Sequence, residues 1–217
     1  MTAMTIAPPR DTAPFWNRIA ARYAARPVAN PEAYALTLER TRAYLRSTDS
    51  VLELGAGTSS TAITLAPHVA RYLSTDISSG MVRIGREKAQ AAGVDNLTIE
   101  VGQLGDPALD AGPFDAILAF NLLHLCPDPA GEAAKAFAAL KPGGYFISKS
   151  ACLGSGFWFL WPVTAVMRAL GKAPPVRYFT RRWLQEAIRK AGFEIVETGD
   201  YPARPPSHFI VARKVPD

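Results

Sequence analysis

The chain has 217 residues, of which 48% are hydrophobic and 20% are charged, which is typical of a folded domain with a sizeable core. Lysine and arginine exceed aspartate and glutamate by five (24 against 19), but the basic residues are scattered, and this does not favour nucleic acid as a partner. The two cysteines, Cys126 and Cys152, suggest neither a metal site nor a disulfide framework, so the sequence predicts a reducing, cytoplasmic location.

The N-terminal part of the chain is predicted to be helical after a short tail. Residues 1–14 lack the apolar core of a signal peptide, and we expect them to form a flexible tail. Residues 15–45 show helical spacing that is interrupted by Pro27 and Pro31, which predicts two helices, the second starting near Pro31. No repeat or change of composition follows, so residues 15–217 are predicted to form one domain.

From residue 50 onwards, predicted strands and helices alternate. Strands are predicted at residues 50–54, 71–75, 97–101, 114–120, 145–148, 194–197 and 209–213. Helices are predicted at residues 59–69, 78–92, 129–140 and 181–191, with a weak crossover at 105–112. The strands are almost continuously apolar, which is typical of a parallel sheet covered by helices on both faces. Ligands of such sheets bind outside the carboxyl ends of the strands.

A glycine turn follows the first predicted strand in the segment VLELGAGTSS, residues 51–60. No lysine follows the turn, so a triphosphate loop is excluded, and Ser60 stands where a dinucleotide fingerprint requires its third glycine. Glu53, within the strand, would repel a pyrophosphate but suits a cationic ligand. Asp76 ends the second strand, where a carboxylate accepts hydrogen bonds from both hydroxyls of a ribose. A ribose acceptor without phosphate-binding groups indicates S-adenosylmethionine (SAM).

Four segments in this order, VLELGAGTSS, STDIS, FDAILAFNLLHL and LKPGG, resemble the signature of class I SAM-dependent methyltransferases. The opening FWNRIAARYAARP and the apolar insert before the last helix resemble the branch of ubiquinone- and menaquinone-type small-molecule methyltransferases. The resemblance implies an α/β, Rossmann-like fold whose seven-stranded, mostly parallel sheet has the order 3-2-1-4-5-7-6, with strand seven antiparallel. It also implies SAM as the cofactor and S-adenosyl-L-homocysteine as the product.

The resemblance further implies which residues contact the cofactor. The glycine turn would pass under the methionine moiety, a carboxylate would hold the ribose, and apolar side chains would enclose the adenine. The residues implied are Tyr23, Glu53, Gly55, Ala56, Gly57, Thr58, Asp76, Ile77, Met81, Gln103, Leu104 and Asn121. Many relatives have aspartate at the position of Gln103, whose amide oxygen can still accept a hydrogen bond from the adenine. Core packing would also explain Met81, and anchoring of the first helix would also explain Tyr23.

The residues that act on the acceptor are less constrained by the pattern. His124 follows the fourth strand and is a candidate general base, because the ordinary pKa of histidine suits that role; a hydrogen bond to its own loop is the alternative. The insert at residues 151–179 is predicted to form a helical lid over a lipophilic or aromatic acceptor, or else to pack on the sheet. Basic residues around the insert would also suit a peripheral contact with a membrane.

Two functions therefore stay open at the level of sequence. The first is a methyltransferase that acts on a small, apolar or aromatic acceptor through oxygen, carbon or nitrogen. The second is a SAM-binding module or partner subunit without transfer activity of its own. Both a monomer and a homodimer are compatible with the sequence.

Overall fold

The structure is a computed structural model that describes residues 12–106 and 112–216. The helices are α1 (Ala13–Ala24), α2 (Pro31–Arg42), α3 (Ser60–Leu65), α4 (Ser79–Ala92), α5 (Pro129–Ala139), α6 (Trp161–Ala169) and α7 (Arg181–Lys190). The strands are β1 (Ser50–Leu54), β2 (Arg71–Asp76), β3 (Leu97–Val101), β4 (Phe114–Phe120), β5 (Leu140–Ala151), β6 (Phe193–Asp200) and β7 (Ser207–Lys214). Most of the predicted tail and of the predicted crossover at 105–112 lies outside the described residues.

The seven strands form one sheet in the order β3-β2-β1-β4-β5-β7-β6, which confirms the predicted fold. The pairs β1–β2, β1–β4, β2–β3 and β4–β5 are parallel, whereas β7 runs antiparallel to both β5 and β6. The strand order reverses beside β1, where β2 lies on one side and β4 on the other. This is the topological switch point at which sheets of this kind bind their ligands.

Helices cover both faces of the sheet, and each face has its own core. One core combines Ala133 of α5 and Leu184 of α7 with inward side chains of β4 and β5. The other contains Ala62 and Leu65 of α3 together with Val51 of β1. Because both faces are buried, the inner strands β1 and β4 have almost no exposed residue, which explains their nearly continuous apolar sequences, whereas the edge strands β3 and β6 include exposed residues.

Local capping residues begin the helices that flank the site. Asn30, Ser78, Asp128 and Thr180 each accept a hydrogen bond from a backbone N–H in the first turn of the following helix. Gly93 ends α4 in the left-handed conformation, with φ of 64°. These are favourable N-cap and C-cap residues, so the sequence itself sets where these helices begin and end.

Some elements differ from the predicted boundaries. Helix α1 begins at Ala13, two residues before the predicted start, and α3 ends at Leu65, where a short 3-10 turn over Ala66–His68 replaces its predicted last turn. Strand β5 is longer than predicted. Leu140 already pairs with Phe114 of β4, and after an irregularity in the LKPGG turn the pairing continues from Tyr145. No helix in the described ranges 12–106 and 112–216 is long and apolar enough to span a membrane.

Candidate active site

A cleft of about 980 Å³ opens at the carboxyl ends of β1, β2, β3 and β4. All twelve residues that the resemblance assigns to the cofactor line this cleft. Helix α1 closes the opposite side with Trp16 and Tyr23. The switch point of the sheet and the N-terminal helix therefore build one site from segments that are far apart in the sequence.

The glycine turn after β1 has backbone conformations that suit glycine. Gly55 and Gly57 have φ of 60° and 57°, in the left-handed region that other residues rarely adopt. A Cβ atom at Gly55 would lie 2.5 Å from Cδ1 of Leu122, so the space beside this residue is already filled by a side chain that follows β4. The backbone N–H of Ala56 donates to the Thr75 carbonyl at 2.9 Å, which fixes the turn against the end of β2.

Asp76 ties the glycine turn to the start of α4. Its Oδ2 accepts from the backbone N–H of Gly57 and its Oδ1 from that of Ser78, each at 2.8 Å. Burial raises the pKa of Asp76, and these two hydrogen bonds act in the opposite direction. A carboxylate offers about four lone-pair sites, so each oxygen retains a position from which it can accept from a ribose hydroxyl.

Glu53 is a buried carboxyl group beneath the turn. Its side chain accepts a hydrogen bond from the hydroxyl of Tyr72 at 2.8 Å, and the residue is only 2% exposed. Burial raises the pKa of Glu53 to about 8; the hydrogen bond from Tyr72 opposes this effect, and the negative charge of Asp76 adds to it. Two neighbouring carboxyl groups at one end of the cleft favour a ligand that carries positive charge.

The side of the cleft assigned to adenine combines buried and exposed residues. Met81 is fully buried at the start of α4, and its N–H is capped by Ser78, so it serves the core as well as the cleft wall. Gln103 is exposed, and its backbone N–H donates to Asp106 at 2.9 Å. Ile77 and Leu104 complete this part of the lining.

Helix α1 is fixed over the cleft by contacts that the sequence pattern does not reveal. Asn17 Oδ1 accepts from the hydroxyl of Ser78 at 2.7 Å and from the backbone N–H of Gly80 at 2.9 Å. A Cβ atom at Gly80 would lie 3.2 Å from the Cβ of Ala20, so the glycine permits close packing of α1 on α4. These contacts hold Tyr23 above the glycine turn, where burial and the charge of Asp76 raise the pKa of its hydroxyl.

A lysine from α4 also reaches the glycine turn. Lys88 Nζ donates to the hydroxyls of Ser60 and Thr58, and all three residues line the cleft. Burial lowers the pKa of this lysine. The sequence has no lysine directly after the turn. Lys88 and Ser60 are 28 residues apart, so only the folded structure reveals that they are in contact.

The other end of the cleft is largely apolar. Asn121 stands at its entrance just after β4, with φ of 54°, and its backbone N–H donates to the Lys149 carbonyl at 2.7 Å. Asparagine tolerates this left-handed conformation better than most residues. The neighbouring wall consists of Trp16, Phe120, Leu122, Leu125, Cys126 and Pro127, together with one charged residue, Glu132 of α5, near Cys126.

His124 does not line the cleft, although it follows β4 as the sequence indicated. Its Nδ1 atom is buried without a hydrogen-bond partner, and its carbonyl accepts from the backbone N–H of Arg177 at 2.7 Å. Burial lowers the pKa of His124 to about 4, so the ring is neutral at physiological pH and only weakly basic. These observations do not strengthen the case for a general base, and that role stays a prediction.

The insert at residues 151–179 also lies apart from the cleft lining. Its helix α6 instead packs over residues 127–129 and encloses a separate cavity of about 210 Å³, together with Tyr178 and Trp183. Its end contacts α1, because Arg18 Nη2 donates to the Gly171 carbonyl at 2.7 Å. Among the described residues, the cover of the cleft is therefore α1, rather than the insert that the sequence suggested as the lid.

A family model described as a methyltransferase domain matches residues 25–198, well over half of the chain. The chain belongs to the class I SAM-dependent methyltransferases. SAM is accordingly the cofactor of this family, and the glycine turn, Asp76 and Glu53 are consistent with its uncharged ribose and its cationic groups.

Curated relatives match this methyltransferase over part of its length. A protein-L-isoaspartate O-methyltransferase of Roseiflexus castenholzii is 31% identical over 105 residues, which are 48% of this chain and 47% of that protein. A demethylmenaquinone methyltransferase of Clavibacter sepedonicus is 30% identical over 100 residues, 46% of this chain and 40% of the relative. In both cases the match spans less than half of the relative's length.

Solved structures share the fold at low sequence identity. Magnesium protoporphyrin IX methyltransferase from Synechocystis PCC 6803, with bound SAH, has a TM-score of 0.70 and 19% identity, covering 93% of this chain and 97% of that one. The [4+2]-cyclase SpnF has a TM-score of 0.80 and 14% identity, covering 100% of both chains. Since one neighbour is a methyltransferase and the other a cyclase, this likeness establishes the fold of our methyltransferase and not its reaction.

Proposed function

We propose that this protein transfers the methyl group of SAM to a small acceptor of apolar or aromatic character. The observation that carries the proposal is one cleft in which the glycine turn and Asp76 stand at one end and an apolar wall at the other. Sites for drug-sized ligands occupy about 300–1,000 Å³, so a cleft of about 980 Å³ has room for a cofactor and a second molecule.

The residues at the glycine turn have chemistry that fits SAM. Asp76 has unused lone pairs for the ribose hydroxyls, and Gly57 presents backbone rather than a side chain to the cleft. Asp76 provides negative charge, and Glu53, whose pKa burial raises to about 8, can ionise when an ammonium group binds beside it. When bound, SAM supplies a methyl group that its sulfonium already activates.

The acceptor class follows from the wall near Asn121. Apart from Glu132, its side chains are aromatic, aliphatic or thiol, and burial raises the pKa of the Cys126 thiol to about 12, so that this group stays neutral. Such a wall favours the binding of an apolar acceptor, because the apolar surface of the acceptor is then removed from water. The curated relatives do not decide the point, because one is named for isoaspartate in proteins and another for demethylmenaquinone.

This chain can contribute to the reaction by aligning the acceptor with the methyl group of SAM and by excluding water. Helix α1 covers the cleft through Trp16 and Tyr23, and Asn17 holds the helix in place. A covered cleft restricts the approach of the acceptor and removes competing water, effects that can supply much of the rate enhancement of a transfer reaction. We therefore propose that the fixed position of α1 matters more for turnover than a proton acceptor at His124.

A transfer assay with isotope-labelled SAM tests the proposal. The purified protein is incubated with quinones, phenols and hydroxylated lipids, and with a peptide that contains isoaspartate, and products are identified by mass spectrometry. Label transfer to an apolar or aromatic small molecule supports the proposal, whereas transfer to the peptide alone contradicts the acceptor class. SAM binding by calorimetry without transfer to any compound supports the alternative of a SAM-binding partner subunit.

A further inference from the structure

The insert presents a row of large apolar side chains to solvent. Trp158 is 72% exposed and Leu170 63% exposed. Four more residues between them are at least 40% exposed, and we call the six residues together the α6 face: Trp158, Phe159, Val163, Val166, Met167 and Leu170. Positions 159, 163, 166 and 170 follow one another at steps of three or four residues, and 167 is four residues after 163, so all five lie on one side of the helical segment.

The outward side of α6 lacks the polar residues that are usual on a surface helix, whereas its inward side is mixed and includes Trp161 and Ala165. The inward side carries Thr164 and Arg168, which line the small cavity beside Asp128, while the outward side carries only apolar residues. Of the thirteen exposed large hydrophobic residues in the described ranges, six belong to this one stretch. Single exposed apolar residues are common on proteins, but a contiguous patch marks an interaction surface.

The charge around the α6 face indicates what covers it. Residues 151–182 contain five arginines and lysines and no acidic residue; of these, Arg168 lies on the inward side and Arg181 pairs with Asp200. Helix α1 also has no acidic residue, and Arg18 places it against the end of α6 through the hydrogen bond to Gly171. The exposed Lys172 follows directly, and Arg22 lies one turn further along α1. The apolar face is therefore bordered by positive charge.

Apolar side chains with a cationic border are complementary to an anionic lipid surface, in which the side chains enter the headgroup region and the cations meet phosphate groups. A second copy of the chain is a poorer partner, because a twofold interface pairs the same segment of both copies, and residues 151–182 contain no acidic residue to meet the cations. Tryptophan at the edge of the face, as at Trp158, is typical of residues at a membrane interface. We propose that the α6 face docks this protein peripherally on anionic membranes.

Vesicle flotation tests this proposal without any requirement for methyl transfer. The full chain is mixed with vesicles of phosphatidylcholine alone, or with about one-third phosphatidylglycerol, because anionic lipid supplies the attraction. We expect binding to the anionic vesicles that weakens with added salt. The double variant Val166→Glu, Leu170→Glu is expected to bind at least about tenfold more weakly, and Lys172→Gln about fivefold more weakly.

Val196→Glu is the matched control, because Val196 is 43% exposed on β6 rather than on the α6 face. It is expected to bind vesicles as the parent protein does, and all variants are expected to keep the parent Tm and SAM affinity. Absent binding, equal binding to neutral vesicles, or a double variant that still binds would overturn the proposal. A parent dimer that the double variant converts to a monomer in sedimentation velocity would show that the face is a subunit interface instead.

Discussion

The buried carboxyl group at the glycine turn is expected to make the stability of this protein depend on pH. Glu53 is 2% exposed, and burial raises its pKa to about 8 from the ordinary value of 4.5. Because the folded state holds the proton more tightly than the unfolded state, stability is greatest at low pH and is lost as the pH rises from about 5 to about 8. The variant Glu53→Gln replaces the carboxyl group by an amide that does not titrate, and the amide oxygen can still accept from the hydroxyl of Tyr72.

The size of the effect follows from the difference between the two pKa values. One pKa unit corresponds to about 1.4 kcal/mol, so this group alone should lower the free energy of unfolding by about 3 kcal/mol between pH 5 and pH 8. For a chain of this size, that loss corresponds to a fall in Tm of about 6–12 °C. In Glu53→Gln, most of this fall should be absent.

Thermal unfolding followed by circular dichroism at pH 5, 6, 7 and 8 provides the measurement. Glu186→Gln is the control, because it makes the same chemical change at an exposed position on α7 and should leave the pH dependence of the parent protein unchanged. If Glu53→Gln and the parent protein lose the same Tm over this range, then Glu53 is ionised in the folded state and the reasoning from burial is wrong.

Four further predictions concern cofactor binding and turnover. Asp76→Ala should weaken SAM binding by about 1.5–3 kcal/mol in calorimetry, because ribose hydroxyls lose a charged acceptor, and an unchanged affinity would contradict its role. SAM binding at pH 7 should release close to one proton through Glu53, measured by calorimetry in buffers of different ionisation enthalpy, and none in Glu53→Gln. Asn17→Ala should lower the free energy of unfolding by about 1–2 kcal/mol and weaken SAM binding, since the backbone N–H of Gly80 and the hydroxyl of Ser78 lose their acceptor. A variant as stable as the parent would show that α1 is held by other contacts. His124→Gln should keep turnover within about threefold, whereas a loss of about 100-fold would establish a general base.

The fold could be predicted from the sequence where local signals and burial agree. Strands β1, β3 and β4 have the predicted boundaries, because β1 and β4 are largely apolar runs, β3 alternates apolar and polar residues, and each lies between turn residues. Strand β5 was predicted too short, since the turn chemistry of LKPGG suggested a loop, whereas pairing with β4 extends the strand on both sides of it. Pairing between strands depends on tertiary contacts that no local pattern contains.

The site shows the same division between local and distant signals. The glycine turn and Asp76 could be identified because their spacing along the chain reflects one strand–turn–helix unit. Asn17 and Lys88 could not, because they meet their partners across 61 and 28 residues. The first contact depends on how α1 packs on α4 and the second on how α4 packs beside α3, which hydrophobic periodicity does not specify.

Helix α1 connects the two surfaces to which we assign function. Trp16 and Tyr23 cover the cleft, while Arg18 contacts the end of the insert that bears the α6 face. Residues 16 and 23 are seven positions apart and share one side of this helix, whereas residue 18 leaves the opposite side, so α1 would lie between the cleft and a lipid surface at the α6 face. If both proposals hold, a lipophilic acceptor dissolved in that surface would have to pass α1 to reach the apolar wall near Asn121, so docking and acceptor binding would involve the two sides of one helix.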